Sequence, residues 1–538
     1  MTLSKPAAAP ADWVAAHAYH GPPVLAAARP RHGSVVGAFA HRAAAQPSAP
    51  LLTEVVSGVT GGRAVGRTVT YSEALTQVRA RAAALSSLGV ASGTRLGLRP
   101  LNDIDSFVTI LATLWTGAAV VLANPRDADT RVAEQYQRVG AVDYRTLQEQ
   151  VAARETGRPG LAGRPVPAAA ADDIAVVVFT SGSTGRPRAV AQSHRGILAN
   201  VAAVAAHHRL GPGTRLFACL PLFHVNALEF TGFASAIAGG RLFMADTFEP
   251  LSYLSAVSAT AAHIASAVPS ILSTVTERSG GAPDLSQLRY FVSAAAPLAA
   301  PTARRVHERL GKRIVQGYGL SEAANFSCLM PPDLDDAGYA QLMTEAEIPA
   351  VGPALAGNEV AVLGADGLPV PPGVTGEIVV RGPNVMIGYL GDVAATAEAL
   401  RGGWLHTGDL GREVVGTAVG APVFQVTGRA KHVVKVAGHT VGLEEVERVL
   451  LGVDGVRAVA AGSAVDRTAG EVLGILAVRE SARVDAAGLR AAIEERLGPD
   501  YVPRLVRFVD SLPLLANGKL ARLEVSRLLR HEADPGCG

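Results

Sequence analysis

FTSGSTGRPRAVAQS fills residues 179–193, directly behind the apolar run IAVVV at 174–178. That run predicts a buried strand emptying into a loop of glycines and hydroxyls, followed by a helix-like segment over 194–200. Such a loop can turn several backbone N–H groups onto one anion, together with the hydroxyls of Thr180, Ser181, Ser183 and Thr184. Gly182 and Gly185 let the backbone approach closely, and Arg186 and Arg188 add positive charge. A flexible Ser/Gly connector has the same composition; the preceding strand and the basic residues favour a phosphate site. It is not a Walker A loop, because no Gly-Lys-Ser/Thr follows the second glycine at the required spacing.

The chain around this loop has 538 residues, enough for more than one domain and for large cores. Half of it is hydrophobic, 18% is charged and the net charge is only +2, so no basic face is offered to nucleic acid. No apolar stretch is long enough for a membrane span. The N-terminus is broken by prolines and carries Asp12, unlike the apolar centre of a secretory signal. Cys219, Cys328 and Cys537 are too few and too scattered for a disulfide framework or a metal cluster, and the cytoplasm is the expected compartment.

Residues 1–32 read as an Ala/Pro-rich extension. From 33 to about 124 a helical pattern (71–88) alternates with short apolar runs (94–98, 118–122), which predicts βα units and a largely parallel sheet. A Pro/Gly/Arg-rich connector spans 152–170. Alternation resumes at Ile174 and runs through 216–220, 241–245, 263–268, 290–293 and 313–315. After about 357 shorter Val/Gly-rich runs predict a small antiparallel or barrel-like part. A boundary near 430 separates residues 33–430 from a tail, 431–538, with a strand HVVKV, an amphipathic helix (443–451) and a further helix (486–497).

Three further clusters carry chemistry-bearing residues. GYGLSEAANFS (317–327) follows the strand-like RIVQ, so its glycines around Tyr318 fit an ordinary strand exit. Functionally, Tyr318 could stack on a flat ligand, Ser321 could bind a phosphate oxygen and Glu322 could hold Mg²⁺. In GWLHTGDLG (403–411) Asp409 could cap a turn or accept from both hydroxyls of a ribose. In PLLANGKLAR (513–522) Lys519 follows an Asn-Gly turn, where a lysine is usually solvated.

In this order and spacing, these motifs resemble the adenylate-forming superfamily of acyl- and aryl-CoA synthetases, luciferases and peptide-synthetase adenylation domains. The resemblance covers roughly 33–522. It includes TYSEAL (70–75), PLFHVNAL (221–228), SAAAPL (293–298), GEIVVRGPNVMIGYL (376–390) and GRAKHVVKVAGHTVGLEEVE (428–447). It implies a large α/β N-terminal domain with parallel sheets and a barrel-like part, plus a small mobile α+β C-terminal domain.

The implied reaction joins a carboxylate to the α-phosphate of ATP, releasing pyrophosphate, and then passes the acyl group to the thiol of CoA. Two anions must approach, so cations and N–H donors have to offset the charge. By resemblance, Thr180 to Gly185 would hold the β- and γ-phosphates, with Arg188 beside them; Ser321 would contact the α-phosphate and Glu322 would ligate Mg²⁺. Gly317, Tyr318, Gly319 and Ala294, Ala295, Ala296 and Pro297 would line the adenine site; Asp409 and Arg429 would hold the ribose. Lys519 would bridge the carboxylate and the phosphate. Lys431 would be a hinge that replaces Lys519 with the Gly438 face, and His224 would gate a pantetheine tunnel. The acid pocket would draw on His224, Asn226, Val268, Ser293, Ala294, Gly319, Leu320 and Asn325. No Arg or Lys lies among its segments, which disfavours a dicarboxylate, while Ala294 in place of glycine and Phe326 nearby imply a shallow cavity that favours a short acyl or aryl acid.

Four positions depart from the family pattern: Arg188-Ala189 for Lys-Gly, Leu515 for Thr, Gly442 for Pro and Ala294 for Gly. Arginine keeps the charge but not the point geometry of lysine. Two other readings remain at this level. One is an adenylating ligase serving a carrier-protein thiol, an amine or a nitrogen oxyacid; the other is a non-catalytic binding protein on the same fold. A monomer or homodimer, with no nucleic-acid or membrane partner, is expected.

Overall fold

The computed structural model describes residues 33–56, 64–156, 169–180, 187–278, 283–417, 419–430, 433–436, 439–466, 470–480, 483–514 and 520–530. Two large sheets and a smaller antiparallel one position the site. Eight strands form the first, in the order Asn325–Leu329, Arg313–Leu320, Tyr290–Ser293, Ile264–Ser266, Arg215–Ala218, Arg241–Ala245, Pro50–Val56 and Ala64–Thr70. Its centre is parallel, as the expected alternation requires, and antiparallel hairpins close both edges.

The second sheet has six strands: Gly388–Tyr389, Arg188–Ser193, Ile174–Thr180, Ala119–Leu122, Arg95–Leu98 and Val142–Asp143. Ala119–Leu122 is buried at every position and lies parallel to both neighbours, the pattern of a strand covered on two faces. The helix Ile104–Trp115 fills the space beside these sheets, with Phe107, Ile110, Leu111 and Leu114 all at 2% exposure or less. Full burial of each such side chain is worth about 1.5–3 kcal/mol. Its start is fixed by Asp103, whose side chain accepts from the N–H of Ser106. TYSEAL opens the helix Tyr71–Ser87 with a capping box, Thr70 and Glu73 satisfying each other's backbone N–H groups.

The strand before the phosphate loop does not empty straight into a helix. Ile174–Thr180 turns back into a second strand, Arg188–Ser193, with Thr180 opposite Arg188 and Phe179 opposite Ala189. The helix His194–His207 begins only after that, capped by Ser193. AVAQS (189–193) has no polar–apolar alternation to mark it as a strand, and it is buried throughout. The connector expected over 152–170 is likewise helical to Thr156. Ala64–Thr70, paired with Pro50–Val56, is a hairpin that the βα reading did not include.

Five antiparallel strands build the third sheet, ordered Gly352–Pro353, Val423–Arg429, Leu405–Glu413, Gly376–Arg381 and Glu359–Leu363. From Val434 onward a separate hydrophobic core forms around Val441, Val446, Leu450, Ile475, Leu489 and Ile493. There Gly470–Arg479 is the middle strand, antiparallel to Val456–Asp466 and parallel to Leu505–Phe508. The helices Leu443–Leu451 and Ala486–Leu497 coincide with the expected ones. No helix among the described residues is long and apolar enough to cross a membrane.

Candidate active site

The strand Arg313–Leu320 runs longer than RIVQ suggested and pairs antiparallel with Asn325–Leu329, so Ser321 and Glu322 sit on the 3-10 turn of a hairpin. Two glycines permit the pairing. A Cβ on Gly319 would lie 1.6 Å from the Asn325 carbonyl oxygen, and one on Gly317 2.4 Å from the Phe326 ring. Ala324 and Asn325 both take left-handed backbone angles (φ 43° and 80°), conformations that cost free energy and gather at functional sites.

Neighbouring elements hold this turn by its carbonyls. Gln192 Nε2 donates to Ser321 O at 2.8 Å, the Met386 N–H to Glu322 O at 2.7 Å and Asn384 Nδ2 to Ala323 O at 2.7 Å. Asn200 Nδ2 donates to Phe326 O at 2.6 Å. The strand after the phosphate loop, the helix that follows it and the GPNVMIGY segment therefore all grip one hairpin. A turn gripped at that many points carries its side chains with little freedom.

Tyr389 joins the loop strand to Glu322. Its hydroxyl donates to Glu322 Oε1 at 3.0 Å, while the Arg188 guanidinium lies 5.0 Å from its ring centroid. Burial raises the proton affinity of the half-buried Glu322; the Tyr389 hydrogen bond and the Arg429 charge oppose the shift, and Asp409 adds to it. A cation at this carboxylate would relieve that desolvation.

Asp409 lies within the strand Leu405–Glu413, not on a turn, directly opposite Arg429 on Val423–Arg429. It is 4% exposed and already engaged on both oxygens: the Tyr318 hydroxyl donates to Oδ2 at 2.8 Å and Arg429 Nε to Oδ1 at 2.6 Å. Tyr318 is thus a buried hydrogen-bond donor whose hydroxyl burial keeps protonated, with the Asp409 charge adding to the effect. Its ring lies with Cys328, Val351, Ile378 and Phe424.

The residues expected to form the acid pocket lie on or beside five elements. Asn226 begins a π-helical stretch, Asn226–Phe233, and its Oδ1 accepts from Ser266 Oγ at 2.9 Å. His224 precedes it, its ring 4.2 Å from that of Phe223. Val268 is buried just past the strand Ile264–Ser266, and Ala294 and Leu320 are partly buried against the main core. Ser293 Oγ and Asn325 Nδ2 are buried without a hydrogen-bond partner. Ala295 takes φ 71° and is exposed, as is Pro297, while Ala296 is half-buried. Ser181, Gly182, Ser183, Thr184, Gly185, Lys431, Gly438 and Lys519 lie outside the described residues.

Three groups that hold the site had gone without a role on sequence grounds: Gln192, Asn384 and Tyr389. Each lies inside or beside a motif, and the available signal was a polar side chain in an otherwise apolar strand or turn.

The fold and the gripped hairpin define an AMP-forming ligase. Residues 39–390 match the AMP-binding enzyme family and 445–519 its C-terminal domain, and the chain belongs to that family, whose members use ATP and CoA. It is 33% identical over 484 residues to a feruloyl-CoA synthase of Amycolatopsis, covering 86% of this chain and 94% of that one. The amide bond synthetase McbA of Marinactinospora thermotolerans is 28% identical with TM-score 0.78, over 92% of this chain and all of that one. ATP-bound MatB of Rhodopseudomonas palustris shares the fold at 24% identity and TM-score 0.79, over 93% of this chain and all of that one. The expected enzyme class, an acid–thiol ligase, is therefore borne out.

Proposed function

We propose that this chain adenylates an aryl monocarboxylic acid and transfers the aryl-acyl group to CoA. The observation that carries the reading is the acid pocket. Its segments hold no lysine or arginine, yet Ser293 Oγ and Asn325 Nδ2 are buried there without partners. An uncharged lining of small and weakly polar side chains suits a neutral aryl body and disfavours a second charge on the acid. The likeness to a feruloyl-CoA synthase points the same way.

In this reading Arg188 and the 180–185 loop hold the β- and γ-phosphates of ATP, Ser321 meets the α-phosphate, and Asp409 with Arg429 receives the ribose. Gly317, Tyr318, Gly319 and residues 294–297 form the adenine wall. Because Tyr318 donates to Asp409, its contribution is to orient the carboxylate that receives the ribose. Glu322 fits Mg²⁺: one carboxylate of raised proton affinity, with no cluster of other ligands among the described residues, suits an ion that keeps its waters and phosphate oxygens. Bound there, the ion would neutralise phosphate charge. Lys519 bridges the attacking carboxylate and the α-phosphate; rotation at Lys431 then brings Gly438 and the thiol tunnel beside His224.

The likeness to an amide bond synthetase supports a second reading, in which an amine takes the acyl group. Pyrophosphate release, assayed with benzoate, cinnamate, short acyl, long acyl and amino acids, each with and without CoA or an amine, tests both. Release with aryl acids and thioester formation with CoA is expected. Preference for long-chain acids would refute the pocket argument, and amide formation that outpaces thioester formation would establish the second reading.

A further inference from the structure

Glu229 is a buried ionisable group for which the reaction described above has no use. It lies in the π-helical stretch Asn226–Phe233, a wide-turn geometry frequent at functional sites, and is only 1% exposed. Neither of its carboxyl oxygens has a hydrogen-bonding donor. The polar group beside it is the carboxamide of Gln192, itself 1% exposed. Gln192 Nε2 is committed to the Ser321 carbonyl at 2.8 Å, and its Oε1 has no donor. The donor beside Glu229 is therefore the same Gln192 amide that Ser321 already engages, while Gln192 Oε1 has none. An ionised carboxylate there could draw only on that amide, in competition with Ser321, whereas a proton on Glu229 would leave the amide to Ser321 and supply a donor for Gln192 Oε1.

We propose that Glu229 is a positioning residue of the adenylation site. As a neutral carboxylic acid it donates to Gln192 Oε1, which fixes the carboxamide so that Nε2 holds the Ser321 carbonyl and the turn bearing Ser321 and Glu322. The proposal rests on the adenylation reading of that turn. Burial lifts the Glu229 carboxyl to about 8, the Gln192 amide opposing the shift. The elements packed on the π-helix carry His194, Arg195, His207 and His208 at the 194–208 helix, Arg215 on one strand and Cys328 on another. None of these acts on Glu229, whose proton affinity is set by burial. Once ionised, Glu229 can only accept. The Gln192 amide then presents Nε2 to it and releases Ser321.

ATP–pyrophosphate exchange by the full chain, with an acid it accepts, tests this across about pH 6.5–9.5 in wild type, Glu229→Gln and Glu229→Leu. CoA is omitted so that its thiol does not enter the profile. From pH 7 to pH 9, wild-type kcat should fall about tenfold further than that of Glu229→Gln, which keeps an N–H donor at every pH. Glu229→Leu should be about tenfold slower than wild type at pH 7 and show no added alkaline loss. Identical profiles for wild type and Glu229→Gln would overturn the proposal while leaving adenylation standing. Absence of exchange with any acid would remove the adenylation reading, and this inference with it.

Discussion

Glu229 should also leave a signature in stability that is independent of catalysis. Its carboxyl titrates near 4.5 in an unfolded chain and is lifted to about 8 in the folded protein by burial. Below pH 4.5 both states hold the proton and Glu229 adds no pH dependence. Between 4.5 and 8 the folded state keeps a proton that the unfolded state has released, so stability falls as pH rises; above 8 the penalty is constant. At about 1.4 kcal/mol per pH unit, the window up to pH 7 amounts to roughly 3 kcal/mol, as an upper figure for a site that water can relax. Glu229→Gln removes the titration and keeps the shape. Urea unfolding followed by circular dichroism should give nearly equal stabilities near pH 5, with the variant gaining about 1 kcal/mol over wild type per pH unit up to 8. Taking the difference between the two proteins cancels every other titrating group. A difference that stays flat from pH 5 to pH 8, or a wild type that gains on the variant as pH rises, would refute a buried, neutral Glu229.

Tyr389→Phe keeps the ring beneath Arg188 but removes the donor to Glu322 Oε1. The Mg²⁺ concentration needed for half-maximal exchange should rise about tenfold, the cost of one lost bond to a charged group, and unchanged Mg²⁺ dependence would detach Tyr389 from Glu322. Lys519→Ala should lower pyrophosphate release about 10²–10³-fold, yet still convert a supplied acyl-adenylate to thioester; undiminished release would sink its assignment. Ala294→Gly should shift kcat/KM toward larger acids by an amount worth about 1–3 kcal/mol, read as the ratio between an aryl and a C12–C16 acid, and an unchanged ratio would place Ala294 outside the pocket.

The parallel strands were legible because burial on both faces leaves unbroken apolar runs: Tyr290–Ser293 and Arg241–Ala245 appear with the expected bounds. The helix Leu443–Leu451 was equally plain from its apolar spacing. What local pattern could not carry was pairing. Nothing within GYGLSEAANF says that the strand continues through Leu320 and folds back at Asn325. That outcome depends on two glycines meeting a carbonyl and a ring from the returning strand. The antiparallel return of Arg188–Ser193 was hidden for the same reason: nothing local in RAVAQS says that it pairs back onto Ile174–Thr180.

The candidate site divides along the same line. Asp409, Arg429, Ser321 and Glu322 stand out because charged or hydroxyl residues between glycines announce themselves in a motif. Gln192 and Glu229 do not, since each is one polar residue in an apolar run, 37 positions apart, and only the packing of a π-helix on a sheet brings them together. Burial of either alone would be a plain loss: an unsatisfied amide oxygen in one case, a desolvated carboxyl in the other. Together, with one proton between them, they become a connection from the acid-pocket helix to the turn that carries Glu322. A change at Glu229 should therefore be felt at Ser321 without any contact between their side chains, and a substitution at Gln192 should suppress it. In Gln192→Leu the carboxamide relay is gone, so replacing Glu229 as well should add no further loss of exchange; additive losses would mean the two residues act separately.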